Sequence, residues 1–283
     1  MRLPPAATHR LAVVLLWALT LATLGALLLI IGFILYHGLP QLSVAFFTQR
    51  PRNMGRDGGV LPVILGTLYI TGLAVLIAGP VGIATAVYLT EYTRPGRLTR
   101  VIRFGADCLA GIPSIIFGLF GYAFFVVKSP YTLGLGFSVL SGSLTLAMMV
   151  LPTIIRTSEE AIRAVPESYR DVSFGLGSSR WQMVTQVVLR SALPGIGTGV
   201  VLSIGRCLSE TAAVMFTAGM ALGWPQSVFD SSRTLALHFY VLFTEGISTE
   251  KAYATASVLI LAILGINLLA YWLMRRFIGK VQA

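Results

Sequence analysis

Six apolar runs, each long enough to cross a bilayer as a helix, restrict what this chain can fold into. A helix needs about 20 apolar residues to cover roughly 30 Å of hydrocarbon. Windows of that size lie at about 11–36, 61–89, 104–127, 135–155, 196–222 and 252–273. Lipid offers the backbone no hydrogen-bond partner, so such segments must satisfy themselves as helices. The expected fold class is therefore all-α, a polytopic membrane protein with six transmembrane helices. Composition agrees, since 55% hydrophobic against 11% charged residues is too apolar for a soluble domain of 283 residues. The first run exceeds the h-region of a signal peptide and lacks a clear small-residue cleavage site, which makes it an uncleaved span.

The net charge of +10 raises the question of a nucleic-acid partner, and the placement of the basic residues answers it. With the N-terminus inside, one face holds Arg2, Arg10, Arg94, Arg97, Arg100, Arg103, Arg156, Arg163, Arg170, Arg180, Arg190, Arg275, Arg276 and Lys280. The other holds Arg50, Arg52, Arg56, Lys128, Arg233 and Lys251, and Arg206 alone falls mid-span. This asymmetry follows the positive-inside rule and sets both termini in the cytoplasm, with the membrane lipid rather than nucleic acid as the basic partner. Cys108 and Cys207 fall inside spans and suggest no disulfide or metal site. His9 is terminal, His37 and His238 lie in outer segments, and no paired carboxylates occur mid-span, so neither catalytic residues nor a metal site are expected.

The order of the chain adds detail. Residues 1–60 read as a tail, the first span and an outer loop; residues 61–283 read as a five-span core. Gly79-Pro80 predicts a kink or break in the second span. Pro95-Gly96 marks a cytoplasmic turn, and Arg103 and Asp107 stand at the spacing of an i,i+4 ion pair, as do Glu159 and Arg163. Gly111-Ile112-Pro113-Ser114 perturbs the third span, and the short 128–134 connection makes the third and fourth spans antiparallel neighbours.

A polar section at about 157–194 interrupts the apolar pattern. Glu167 follows Pro166 in a helix's first turn, Tyr169, Val172 and Leu176 share a face, and Gly177 suits the position just past a helix end. Ser179-Arg180-Trp181-Gln182 is a capping box opening a second helix with Trp181, Val184 and Val188 in a stripe, which Leu193-Pro194-Gly195 is expected to end. On spacing alone, partner docking and a place on the membrane surface are equal readings.

Asp171-Val172-Ser173, three residues, Gly177, nine residues and then Val187-Val188-Leu189 resemble the EAA loop of ABC importer permeases, with Asp171 for Glu, Val172-Ser173 for two alanines and Arg190 in the proline position. LAGIPSIIFGLFG at 109–121, RTSEEAIRAVP at 156–166, GRCLSETAAV at 205–214 and SSRTLALHFYVL at 231–242 resemble the phosphate-specific ABC permeases, the A-type subunit more than the C-type. The resemblance implies a MetI-like fold and docking of an ATPase through Asp171, Val172, Ser173, Gly177, Trp181 and Leu189. It implies as partners a second, C-type permease, a dimeric cytoplasmic ATPase carrying ATP and Mg, and a periplasmic phosphate-binding protein. The chain has no G-x-x-x-x-G-K-[ST] phosphate loop, so it is expected to bind no cofactor itself and to be a transporter subunit rather than an enzyme.

Arg206 lies eleven residues beyond Gly195, about 16 Å deep and near the midplane. An arginine there is disfavoured in lipid and must face a cavity or a charge, and Glu210 is one turn away. One reading pairs Arg206 with Glu210 structurally. The other has an oxyanion take Glu210's place on the guanidinium fork, with Ser209 and Thr211 as further hydrogen bonders and Arg156 as an inner waystation or a plain anchor. Gly205, Ser209 and Ala213 read as a small-residue packing stripe. Another tetrahedral oxyanion would suit the same groups, and a secondary transporter is the rival from another mechanistic class.

Overall fold

The computed structural model describes residues 5–94 and 96–281. Arg2, Pro95 and the side chains of Arg276 and Lys280, which entered the sequence reading, lie outside it. Among the described residues five helices are long and apolar enough to cross a membrane, and a pair of helices joined at a bend makes a sixth if counted as one span. In chain order they are α1 (Pro5–Gly38), short α2 (Val44–Thr48), a hairpin of β1 (Pro51–Arg52) and β2 (Asp57–Gly58), α3 (Leu61–Val87), α4 (Arg97–Ala110) and α5 (Ser114–Gly121). There follow α6 (Val139–Arg163), α7 (Glu167–Gly175), α8 (Arg180–Gln182), α9 (Leu189–Leu208), α10 (Ala212–Thr217), α11 (Leu235–Thr244) and α12 (Thr249–Val281). Wider π-turns prolong α3 to Tyr92 and α5 to Val126, and another joins α8 to α9.

The core forms around α6, which touches α3, α4, α5, α9 and α10. Ile70, Ala74 and Ala78 of α3 meet Leu146, Met149, Val150 and Ile154 of α6, with Phe117 of α5 and Ala213 and Val214 of α10 closing the cluster. Each of these apolar side chains is nearly solvent-free in the isolated chain, so the packing does not depend on lipid. Glycines set the spacing. A Cβ on Gly82 would sit 2.7 Å from Ile154, and one on Gly195 or Gly199 would overlap Ala161 or Thr157. The last two contacts lay α9 antiparallel on α6.

Four expectations are corrected. The helix Leu61–Tyr92 runs through Gly79-Pro80 without a break, because Ala78 and Gly82 on either side pack into α6 and hold both halves in line. The third helical segment starts at Arg97, not near 104, while the expected perturbation at Gly111-Ile112-Pro113-Ser114 is present: α4 and α5 meet at 102°. Pro113 cannot continue α4, while the Gly111 and Ile112 N–H groups donate to the Cys108 and Leu109 carbonyls and finish it. Pro194 does not end the second loop helix, which continues to Leu208, because Ala192 and Ile196 flank it in a cluster with Ile162 and Val188. The fifth span therefore begins at Arg180, not near 196, and stops at Leu208, with the residues up to 222 forming α10 and extended chain.

Helix α1 is peripheral. Its apolar side chains are exposed along most of their length, and it meets α12 at one end, where Gly38 lies against Tyr253 and Ser257 and the Ser257 hydroxyl donates to the Ile34 carbonyl. Such a surface requires lipid or another subunit.

At the end of the bundle away from the arginine-rich loops, the extended chain before α11 buries a cation. Arg233 is 7% exposed and His238 1%. Arg233 Nε donates to the Met220 carbonyl at 3.1 Å, and its Nη1 lies 3.4 Å from His238 Nδ1. Burial, with the Arg233 charge beside it, pushes the His238 imidazole down to about 3. The unfolded chain takes up a proton near pH 6.5 that the folded chain refuses until about 3. Stability is therefore full above pH 6.5 and falls as the pH drops toward 3, by up to about 1.4 kcal/mol per pH unit. His238→Asn removes this titration. Thermal unfolding in detergent between pH 7.5 and 4.5 is expected to be flatter for the variant than for the parent, and equal slopes would refute the assignment.

Candidate functional site

The polar section folds as two helices held on a buried base. Pro166 leads into α7, and Gly177 follows its end with φ of +81°, where its N–H donates to the Phe174 carbonyl and the Ser178 N–H to that of Ser173. Ser173 is buried and shares a 2.6 Å hydrogen bond with the Ser178 hydroxyl, which locks the turn. The expected capping box is present: Ser179 N–H donates to Gln182 Oε1 at 2.9 Å, and Gln182 N–H to Ser179 Oγ at 3.3 Å. Tyr169, Val172, Leu176 and Trp181 all point outward, with Leu176 84% exposed. The expected stripe is split, because the π-turn from Met183 to Val188 turns Val184 and Val188 into the core and leaves Trp181 outside. Asp171 and Gly177 are exposed, while Leu189 packs partly against the buried base. Of the six residues of the loop motif, four thus face out and two, Ser173 and Leu189, face in.

Ion pairs bind this loop to the bundle. Arg170 of α7 donates to Glu91 at 2.7 Å and also to the Val165 and Ile162 carbonyls, with both charged side chains nearly buried. The hydrogen bond to Glu91 raises the Arg170 pKa above its ordinary value, so the guanidinium stays charged. Glu159 accepts from Arg163 and Arg103, each at 2.6 Å. The expected Arg163–Glu159 pair is therefore present and the expected Arg103–Asp107 pair is not: Asp107 joins Arg156 across the α4–α6 contact instead. Both members of the expected pair find partners on α6, where Arg156 and Glu159 stand three residues apart. Glu91–Arg170 spans 79 residues and had no local signal beyond a lone acid before a run of arginines.

Arg206 lies in the last turn of α9, which Ser209 ends. Its level follows from the register with α6. Seven residues past Gly199, which faces Thr157, puts it about 10 Å further along, near Val150 and half-way down α6. The predicted Arg206–Glu210 pair is absent. The helix stops at Leu208, Glu210 is therefore not one turn above Arg206, and its carboxylate accepts from the Ala213 N–H at 3.1 Å instead. Among the described residues no carboxylate is in ion-pair contact with Arg206. The same break dissolves the Gly205, Ser209 and Ala213 stripe: Ala213 is pressed against Gly118 of α5, whereas a Cβ on Gly205 would meet open space. Ser209 is exposed and donates to the Gly205 carbonyl; Thr211, Glu210 and Arg206 are half-buried. Four polar residues thus cluster where a helix breaks at mid-bundle, a place that lipid cannot solvate.

Comparison with known proteins agrees with this architecture. Residues 78–282 match the family described as binding-protein-dependent transport system inner membrane component. The "Probable ABC transporter permease protein YqgI" of Bacillus subtilis (strain 168) is 32% identical over 285 residues, covering 95% of this chain and 96% of that protein. The "Phosphate transport system permease protein PstA" of Xylella fastidiosa (strain Temecula1) is 38% identical over 71% of this chain and 68% of its own length, and that of Haemophilus influenzae (strain Rd) 34% identical over 82% and 81%. A bacterial ABC transporter involved in importing the acidic polysaccharide alginate shares the fold, with a TM-score of 0.66 at 18% identity over 93% of this chain and 95% of that one. Residues 78–282, the bent and broken helices included, place this chain in the family of binding-protein-dependent transport system inner membrane components, the permease subunits of ABC importers.

Proposed function

We propose that this chain is the A-type permease subunit of an ATP-driven inorganic phosphate importer, supplying half of the translocation path. Arg206 carries the proposal: its guanidinium sits at mid-bundle with no carboxylate partner among the described residues, so its charge is available to an anion. A planar fork of donors matches a phosphate's oxygens, and Thr211 and Ser209 add hydroxyls at the same break. Glu210, four residues on, has its carboxylate turned onto the Ala213 N–H and leaves the guanidinium open, and Arg156 extends the path inward. The 33–38% identity to phosphate permeases favours phosphate over sulfate or molybdate.

The outward apolar patch of Val172, Leu176 and Trp181, with Asp171 beside it, is the docking surface for a dimeric ATPase that carries ATP and Mg. A rigid helical knob with its base buried in the bundle transmits motion without chemistry of its own. A C-type permease completes the path, a phosphate-binding protein delivers to the face of His238, and the arginine-rich face with both termini lies in the cytoplasm.

Arg206→Gln is expected to abolish uptake of radiolabelled phosphate by an assembled complex, and normal uptake by a well-expressed variant would remove Arg206 from the path. Because the two residues are not paired, the swap Arg206→Glu with Glu210→Arg is expected to stay inactive; restored transport would favour a structural pair. Competition by sulfate and molybdate in the same assay reads the selectivity. In the loop, a Cβ on Gly177 meets open space, so Gly177→Ala costs only the left-handed backbone, about 1 kcal/mol. Gly177→Pro removes the N–H bond to Phe174 and forbids the positive φ. The alanine variant is expected to co-purify with the ATPase and the proline variant to lose it; an intact complex with proline would count against docking there.

A further inference from the structure

The ion pairs of the arginine-rich half differ in exposure. In Glu91–Arg170 the side chains are 6% and 11% exposed, and the Glu159 carboxylate shared by Arg103 and Arg163 is 9% exposed. In Asp107–Arg156 both members are open, at 45% and 48%. Among the described residues it is the one pair with both side chains this exposed. Arg156 lies seven residues, about 10 Å, before the end of α6, at the cytoplasmic limit of that helix's apolar stretch. With Arg156 read as a substrate contact, this open pair stands at the inner mouth of the path.

We propose that Asp107 is the positioning residue for anion release: it competes with the transported anion for Arg156 and, by re-forming the pair, expels the anion toward the cytoplasm. This rests on the reading of Arg156 as a substrate contact. A buried pair is a fastener, but an ion pair open to water is weak and exchangeable. Phosphate arriving at Arg156 displaces the carboxylate without breaking the fold, since α4 remains clamped by Arg103 on Glu159. Asp107 is tethered beside the guanidinium at high effective concentration, whereas the released anion diffuses away. The carboxylate's return therefore speeds departure and lowers the occupancy of Arg156 by cytoplasmic phosphate. Arg206 has no such competitor, so the anion meets an open arginine first and a contested one last.

The test uses the complete complex in proteoliposomes, with ATP and graded inorganic phosphate in the lumen and loaded binding protein outside. Asp107→Asn is expected to lower the maximal uptake rate, leave the external half-saturation unchanged, and reduce the lumenal phosphate giving half-inhibition about tenfold. Asp107→Glu should resemble the parent, and Asp107→Asn with Arg156→Gln should lose the added sensitivity. Parental sensitivity to lumenal phosphate in Asp107→Asn, or equal sensitivity in the single and double variants, would overturn the proposal. Failure of both Asp107→Asn and Asp107→Ser to assemble while Asp107→Glu does so would make the pair a structural fastener and equally overturn it. Parental uptake by Arg156→Gln alone would instead remove Arg156 from the path, an outcome read separately from the Asp107 variants.

Discussion

The contact of α5 with α10 is what the interior of this protein depends on. Two helices stop inside the bundle, α4 at Ala110 and α9 at Leu208, and hydrocarbon cannot satisfy the backbone groups freed there. The short helices that follow each break are laid against one another. A Cβ on Gly118 would stand 2.9 Å from the Ala213 Cα, and one on Gly121 would be 2.8 Å from Thr217 Cγ2. Only glycine permits that approach. Each break is thus sheltered by the other and by α6, and its own caps close it: Gly111 and Ile112 onto α4, Ser209 and Glu210 onto α9, and the Glu210 carboxylate onto α10. The glycine-rich sequence of 109–121 and the polar sequence of 205–214 are two halves of one packing solution.

At the arginine-rich end the same economy applies to charge. The α7 helix is tied to α3 through Arg170 and Glu91, and α4 to α6 through Arg103 and Glu159. The buried base of Met183, Val184, Val188 and Ala192 joins Ala86 of α3 and Ile162 of α6. Since Arg180–Leu208 is one unbroken helix, displacement of the exposed loop is carried directly toward Arg206. Pro194 introduces no joint in that lever because its neighbours are held by packing rather than by the missing hydrogen bond.

Local rules made the loop legible and tertiary partners hid the rest. Gly177, the Ser179–Gln182 box and the Glu159–Arg163 pair are set by residues within four positions of each other, and all three appear where the spacing puts them. Arg103 and Asp107 satisfy the same spacing rule, but α6 offers each a better partner, which no window of sequence contains. Pro80 and Pro194 signalled breaks that packing overrides. The real break at 209–211 carries neither proline nor glycine, and apolar averaging over a long window hid three consecutive polar residues, Ser209, Glu210 and Thr211. A run of polar residues inside an apolar window was the available signal.

The two arginines of the proposed path differ in whether a carboxylate already sits on them. Removing a charge from water is costly, and a cation without a counterion recovers part of that cost from any anion that reaches it. Arg206, with Glu210 turned away onto α10, is such a cation. Arg156 already recovers it from Asp107, so an anion there gains only the difference between two carboxylate-like partners. On the proposed path, an anion would thus be held less firmly at Arg156 than at Arg206, through the placement of one carboxylate on and another off its arginine. The helix break at Leu208 creates the first condition, since a continuous helix would have set Glu210 over Arg206 and left both arginines equally quenched.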